Sequence, residues 1–173
     1  APAKEATMPL IVSFVGRSES GKTTLIEKLI PVLRRRGFRV GTIKHTHHTP
    51  ELDRSGKDSA RHLAAGASTV VLASSGQIQL VKTGVNGGLG GLVRYFDDVD
   101  LLITEGFKQE RTPKIEVLRL AVSDRLLCLD DPMLLAVATD ATIDLPVPVL
   151  RLDDPEAVAD FIENRVIKKS ADN

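Results

Sequence analysis

At 173 residues, with 42% hydrophobic and 27% charged side chains, the chain has the length and composition of one globular domain and not of a disordered or collagen-like class. Lys plus Arg and Asp plus Glu number 23 each, and aromatics reach only 3%, which removes both the electrostatic attraction and the stacking platforms of a nucleic-acid binder. No apolar run approaches the roughly 20 residues that cross a bilayer, and Cys128 alone can close no internal disulfide, so a cytoplasmic, membrane-free domain over residues 1–173 is expected.

Along the chain, residues 1–8 lack an apolar signal core and read as a loose end. Leu10–Val15 is a continuous apolar run of strand length, as for a strand buried on both faces. Thr24–Arg36 places Leu25, Leu29 and Leu33 on one helical stripe, and basic residues followed by Gly37 mark its end. Pro31 lies inside and predicts a kink. Val40–Lys44 predicts a second strand and Gly56–Gly66 a helix closed by glycine. Thr69–Ala73 and Gln77–Lys82 flank Ser74–Gly76, a hairpin signal. Beyond the glycine-dense Gly84–Gly91 and an amphipathic piece at Leu92–Phe96, strands are predicted at Asp100–Thr104, Lys114–Leu120, Leu134–Ala138 and Val147–Leu150. Pro155–Lys168 reads as a closing helix. This alternation predicts an α/β sandwich with a mainly parallel sheet and helices on both faces.

The segment Gly16-Arg17-Ser18-Glu19-Ser20-Gly21-Lys22-Thr23 fits G-x-x-x-x-G-K-[ST], with a strand before it and a helix after it. In that context the glycines let backbone N–H groups turn inward around phosphate oxygens, and the helix start adds unpaired N–H groups and a positive dipole end. Lys22 is expected to neutralise the outer phosphates, and the Thr23 hydroxyl to ligate Mg²⁺. The reading is a nucleoside-triphosphate site. A second acidic group is then needed near the terminal phosphate. Glu105 follows the strand DLLIT at the ligand-binding edge of the sheet; Asp58 opens the helix DSARHLAAG and is either a metal contact or an N-terminal acid. Asp53 reads as a turn residue. His45, His47 and His48 crowd after the second strand, but no cysteine or carboxylate cluster completes a zinc set, and a mobile loop donating hydrogen bonds to phosphate or to a ligand is the better reading. Asp140, just past the late strand Leu134–Ala138, is placed to accept hydrogen bonds from N1–H and the exocyclic amine of guanine, although no Asn-Lys-x-Asp signature accompanies it.

Taken in order, GRSESGKTT (residues 16–24), KHTHH (44–48), GKDS (56–59), AGA (65–67), EGFK (105–108) and AVATD (136–140) resemble the molybdopterin-guanine dinucleotide biosynthesis protein B (MobB) family. The resemblance runs from Leu10 to about Ile167, and KHTHH together with EGFK is its specific part. It implies a P-loop NTPase-like fold and a dimeric GTP-binding accessory protein of weak GTPase activity in molybdenum-cofactor synthesis. The implied partner is the guanylyltransferase that joins GMP to molybdopterin, with molybdopterin itself a further candidate ligand. Onto this chain the family's site carries over at Gly16–Thr24, Lys44, His45, Asp58 and Glu105. Distant relatives such as dethiobiotin synthetase hold magnesium with a P-loop Thr and two acids, which Thr23, Asp58 and Glu105 resemble. Gly84–Gly91 departs from the pattern in lacking acidic residues. The alternative is a P-loop small-molecule kinase or ligase of dethiobiotin-synthetase-like fold; the scattered Arg54, Arg61 and Arg111 form no lid segment of the kind such enzymes use.

Overall fold

The computed structural model describes residues 8–46, 57–85 and 87–171. In chain order its elements are β1 (Leu10–Val15), α1 (Lys22–Arg35), β2 (Val40–Lys44), α2 (Lys57–Ala64), β3 (Thr69–Ala73), β4 (Ile78–Lys82), the single turn α3 (Leu89–Leu92) and a 3-10 turn at Val93–Tyr95. There follow β5 (Leu101–Glu105), β6 (Lys114–Leu118), β7 (Leu134–Thr139), β8 (Val149–Arg151) and α4 (Pro155–Ile162), which passes through a π turn at Glu163–Ile167 into α5 (Lys168–Ala171). The chain divides into two compact units, one of residues 1–45 with 93–173 and one of residues 46–92.

The larger unit is built on a six-stranded sheet in the order β2-β5-β1-β6-β7-β8. Every pairing is parallel, so all six strands end on one edge. The α/β class read from the sequence is the observed one. Val12 and Phe14 of β1, Ile103 of β5 and Val117 of β6 meet Leu25, Leu29 and Leu33 of α1 and Val158 and Ile162 of α4 in one core. A second cluster joins Val15, Leu118 and Val137 to Cys128, with Leu126, Ile143, Leu145 and Val147 packed against it from the loops. Arg36, past the end of α1, donates to Glu156, Asp160 and Glu163, tying α1 to α4 and the π turn. α1 runs through Pro31 without interruption.

Strand limits differ from the predicted ones where the hydrogen-bond ladder dictates. Pro146 and Pro148 have no N–H to donate, so β8 begins only at Val149. β6 stops at Leu118 because the Arg119 carbonyl turns away to accept from Val122 and Ser123. Glu105 is the last residue of β5, paired with Phe14 and Lys44, and not the first beyond it.

Lys114 and Glu116, both about 1% exposed on β6, are charges kept inside the sheet. Lys114 Nζ lies 3.0 Å from Asp131 and donates to the Glu110 carbonyl. Glu116 accepts from the Leu127 and Cys128 N–H groups at 2.6 and 2.9 Å. Such groups are tolerated in a core only when paired in this way.

In the smaller unit α2 ends at Ala64 and is followed by Gly66, whose φ of 103° supplies the left-handed conformation of a helix stop. β3 and β4 form the expected antiparallel hairpin, closed by Ser74 N–H donating to Gln77. Val70 is buried while Val71, Leu72, Ile78 and Leu80 are exposed. Among the described residues no helix is long and apolar enough to cross a membrane.

Candidate functional site

The loop between β1 and α1 is shaped by residues that accept unusual backbone angles. Gly16 (φ 139°) and Gly21 (φ 96°) lie in the left-handed half of conformational space, as does Glu19 at φ 62°. A Cβ on Gly16 would stand 2.4 Å from the Val117 carbonyl oxygen, so only glycine lets the loop cross β6 this closely. Gly21 begins α1 with no side-chain cap, and the first-turn N–H groups are left for an anion. Lys22 Nζ folds back onto the Gly16 carbonyl at 3.0 Å and the Arg17 carbonyl. Burial pushes the Lys22 ammonium below the ordinary lysine range; Glu105 opposes that shift and Lys44 adds to it. Arg17, Ser18 and Glu19 are exposed at the loop's crest, and Ser20 is buried with its Oγ unpartnered.

Three predicted residues converge beside the loop. The Thr23 hydroxyl lies 2.9 Å from both carboxylate oxygens of Glu105, Lys44 Nζ is 3.3 Å from that hydroxyl, and Lys44 and Glu105 form an ion pair at 3.3 Å. The sheet order explains the meeting, because β2 and β5 end side by side next to β1. His45 donates its backbone N–H to the Glu105 carbonyl, and its ring lies 5.0 Å from that of Phe107. Phe107 has a φ of 56°, strained for a non-glycine residue, within the turn that follows Glu105. A hydroxyl and a carboxylate are the hard oxygen donors that Mg²⁺ takes, commonly one or two from protein and the rest from phosphate and water. Thr23 and Glu105 fit that ion. No group of three or more His, Cys, Asp or Glu able to hold a metal occurs among the described residues. His47, His48, Asp53 and the side chain of Asp58 lie outside the described residues.

On the opposite flank, where β6, β7 and β8 end, a cavity of about 430 Å³ is lined by Gly21, Thr24 and Lys28 of the loop and α1 and by Arg119, Asp140 and Arg151. Asp140 is exposed there, and its Oδ1 accepts the Leu120 N–H at 3.2 Å. The loop, Lys22, Thr23, Thr24, Lys44, Glu105 and Asp140 therefore share one edge of one sheet. Arg119, Lys28 and Arg151 were not singled out from the sequence. Arg119 could have been, since it directly follows a buried strand and so emerges at the ligand-binding edge.

The family model described as molybdopterin guanine dinucleotide synthesis protein B matches residues 11–140. The chain is 41% identical to the molybdopterin-guanine dinucleotide biosynthesis adapter protein of Haemophilus influenzae, over 89% of this chain and 88% of that protein. It is 39% identical to the protein of the same name from Escherichia coli, over 90% and 93%. A crystal structure of molybdopterin-guanine biosynthesis protein B superposes with a TM-score of 0.72 at 34% identity, covering 90% of this chain and 97% of that one. The Bacillus subtilis MobB structure gives 0.71 at 28% identity, covering 91% and 98%.

Proposed function

Because the chain belongs to the molybdopterin guanine dinucleotide synthesis protein B family, we propose that it is an adapter of molybdopterin guanine dinucleotide biosynthesis that binds GTP with Mg²⁺ and hydrolyses it slowly. The observation that carries this reading is the arrangement along one sheet edge. A phosphate loop with an uncapped helix start lies between an oxygen-ligand pair, Thr23 and Glu105, and a cavity ending at Asp140.

Each part has a distinct task. The N–H groups of the loop and of the first turn of α1 hold the phosphates. Lys22, already drawn over the loop, neutralises the outer ones. Thr23 and Glu105 hold Mg²⁺, which when bound offsets charge on the outer phosphate oxygens. With nucleotide bound, Lys44 would pair with phosphate in place of Glu105, and the Glu105 carboxylate would hold the ion or orient water. Asp140, steadied by the Leu120 N–H, accepts from guanine N1–H and the exocyclic amine. Adenine has no donors at those positions and would leave the carboxylate unpaired.

The protein works in the cytoplasm as a homodimer with the guanylyltransferase, and molybdopterin is a further candidate ligand of the complex. The exposed Val71, Leu72, Ile78 and Leu80 of the hairpin are the kind of apolar surface a second copy covers. Calorimetric titration with GTP and ATP in the presence of Mg²⁺, followed by capture of the guanylyltransferase with and without GTP, tests the reading. It predicts GTP-selective binding and GTP-dependent capture; absence of GTP binding would overturn it.

A further inference from the structure

Arg119 belongs to no motif, yet it is one of the cations that line the cavity. It leaves the end of β6, and β6 lies between β1, which feeds the phosphate loop, and β7, which ends at Asp140. Its side chain lies along the loop. A Cβ added to Gly21 would stand 3.1 Å from Arg119 Nη2, 3.6 Å from Cζ and 3.7 Å from Nε. The next residue, Leu120, gives its N–H to Asp140. Two successive residues thus touch the loop at one end of the cavity and the candidate base reader at the other.

The guanidinium is also under-satisfied. Its Nε is buried and has no hydrogen-bond partner, and the same holds for Ser20 Oγ in the adjoining loop. Arg119 and Ser20 line a small neighbouring cavity together with Glu116, but both Glu116 oxygens already accept backbone N–H groups. A guanidinium stays charged at any ordinary pH and presents five donors in a fixed plane. Holding it beside Gly21, at the uncapped start of α1, adds its charge to the positive end of that helix. An anion at the inner end of the loop, between Gly21 and Asp140, would give the guanidinium a charged partner in the cavity it lines.

We propose that Arg119 is a nucleotide-binding residue that holds the phosphate nearest the sugar, the one that nucleoside di- and triphosphates share. The proposal rests on the nucleotide-binding reading above and adds to it a contact at the inner end of the chain of phosphates. Lys22 serves the outer end, so the two cations divide the polyphosphate between them. Their loss is therefore distinguishable. Removing Arg119 weakens GTP and GDP by one common factor, and removing Lys22 weakens GTP more than GDP.

The test is calorimetric titration of GTP and of GDP, each with Mg²⁺, into the parent protein, Arg119→Ala and Lys22→Ala. For Arg119→Ala we expect both nucleotides to weaken by about 10- to 100-fold, the size of a charge-assisted contact, with their ratio unchanged within about threefold. Arg119→Gln, which keeps the apolar stem and an N–H donor but neither the full reach nor the charge, gives the same pattern and replaces the alanine variant if that one does not fold. Affinities within about twofold of the parent for both nucleotides overturn the proposal. So does a loss confined to GTP, which would move Arg119 to the outer phosphates. A parent protein that binds neither nucleotide overturns the nucleotide-binding reading itself, and this contact with it.

Discussion

On the β5 side of the phosphate loop, Lys44, Thr23 and Glu105 already hold one another at 2.9–3.3 Å. On the β6 to β8 side, Arg119, Lys28 and Asp140 border a cavity of about 430 Å³. On the proposed reading, the difference matches what each flank would receive. A metal ion and terminal phosphate are small and strongly charged, and flexible side chains that neutralise one another can exchange partners to admit them at little cost. A purine and its sugar are large and stiff, so room for them has to exist before they arrive. The polar flank is closed by its own ion pair, and the flank proposed for the base is kept open by strand ends and by a glycine that leaves room for the Arg119 guanidinium.

Changes on the polar flank test whether it carries most of the affinity and of the chemistry. Lys22→Ala is expected to have the largest effect, a loss of GTP affinity on the order of a hundredfold or more with an unchanged circular-dichroism spectrum. Equal affinity by calorimetry would remove the phosphate-loop assignment. Glu105→Gln is next, with hydrolysis falling at least about tenfold further than binding, because a charge that holds metal or orients water acts mainly in the transition state. If the dissociation constant rises as much as the rate falls, Glu105 is only a ground-state ligand.

On the open flank, Asp140→Asn is expected to weaken GTP by about tenfold and to favour xanthosine triphosphate, whose C2 carbonyl accepts from the new amide. Competition among GTP, ATP and XTP measures both shifts, and an unchanged GTP preference would leave Asp140 as a turn residue.

The smallest effect on binding belongs to a residue on neither flank. Asp131→Asn weakens the partner of buried Lys114 and is expected to cost about 1–3 kcal/mol of stability while leaving GTP affinity within about twofold. The Met133 N–H and the Lys114 ammonium hold the Asp131 carboxyl below the ordinary carboxylate range. A carboxyl whose folded value lies below its unfolded one stabilises the protein above the unfolded value. That contribution fades as pH drops through the folded one. In denaturant melts the parent should lose stability below about pH 4 more steeply than the variant; parallel profiles would contradict the role given to this pair.

Some of the site is written in short stretches of chain. The phosphate loop, Lys22 and Thr23 are legible because one strand–turn–helix segment holds them all. Glu105 and Asp140 are legible because a carboxylate at the end of a buried strand has one direction in which to face. Arg119 obeys the same rule at the end of KIEVL, but it adjoins no motif, and its meaning depends on β6 lying between β1 and β7. The strand limits near Pro146 and Pro148 were readable in principle from their missing N–H groups.

The sequence by itself determined the elements, the parallel class and the phosphate loop, because each follows from local periodicity, from backbone freedom at Gly16 and Gly21, and from the chemistry of neighbours along the chain. Only the tertiary structure decided which flank of the loop is filled and which is open. That outcome depends on the strand order β2-β5-β1-β6-β7-β8, which brings Lys44 and Glu105 to one side of Thr23 and Arg119 and Asp140 to the other across tens of residues of sequence. Strand order is set by how apolar faces pack and by which crossovers close, and no window of residues carries that information.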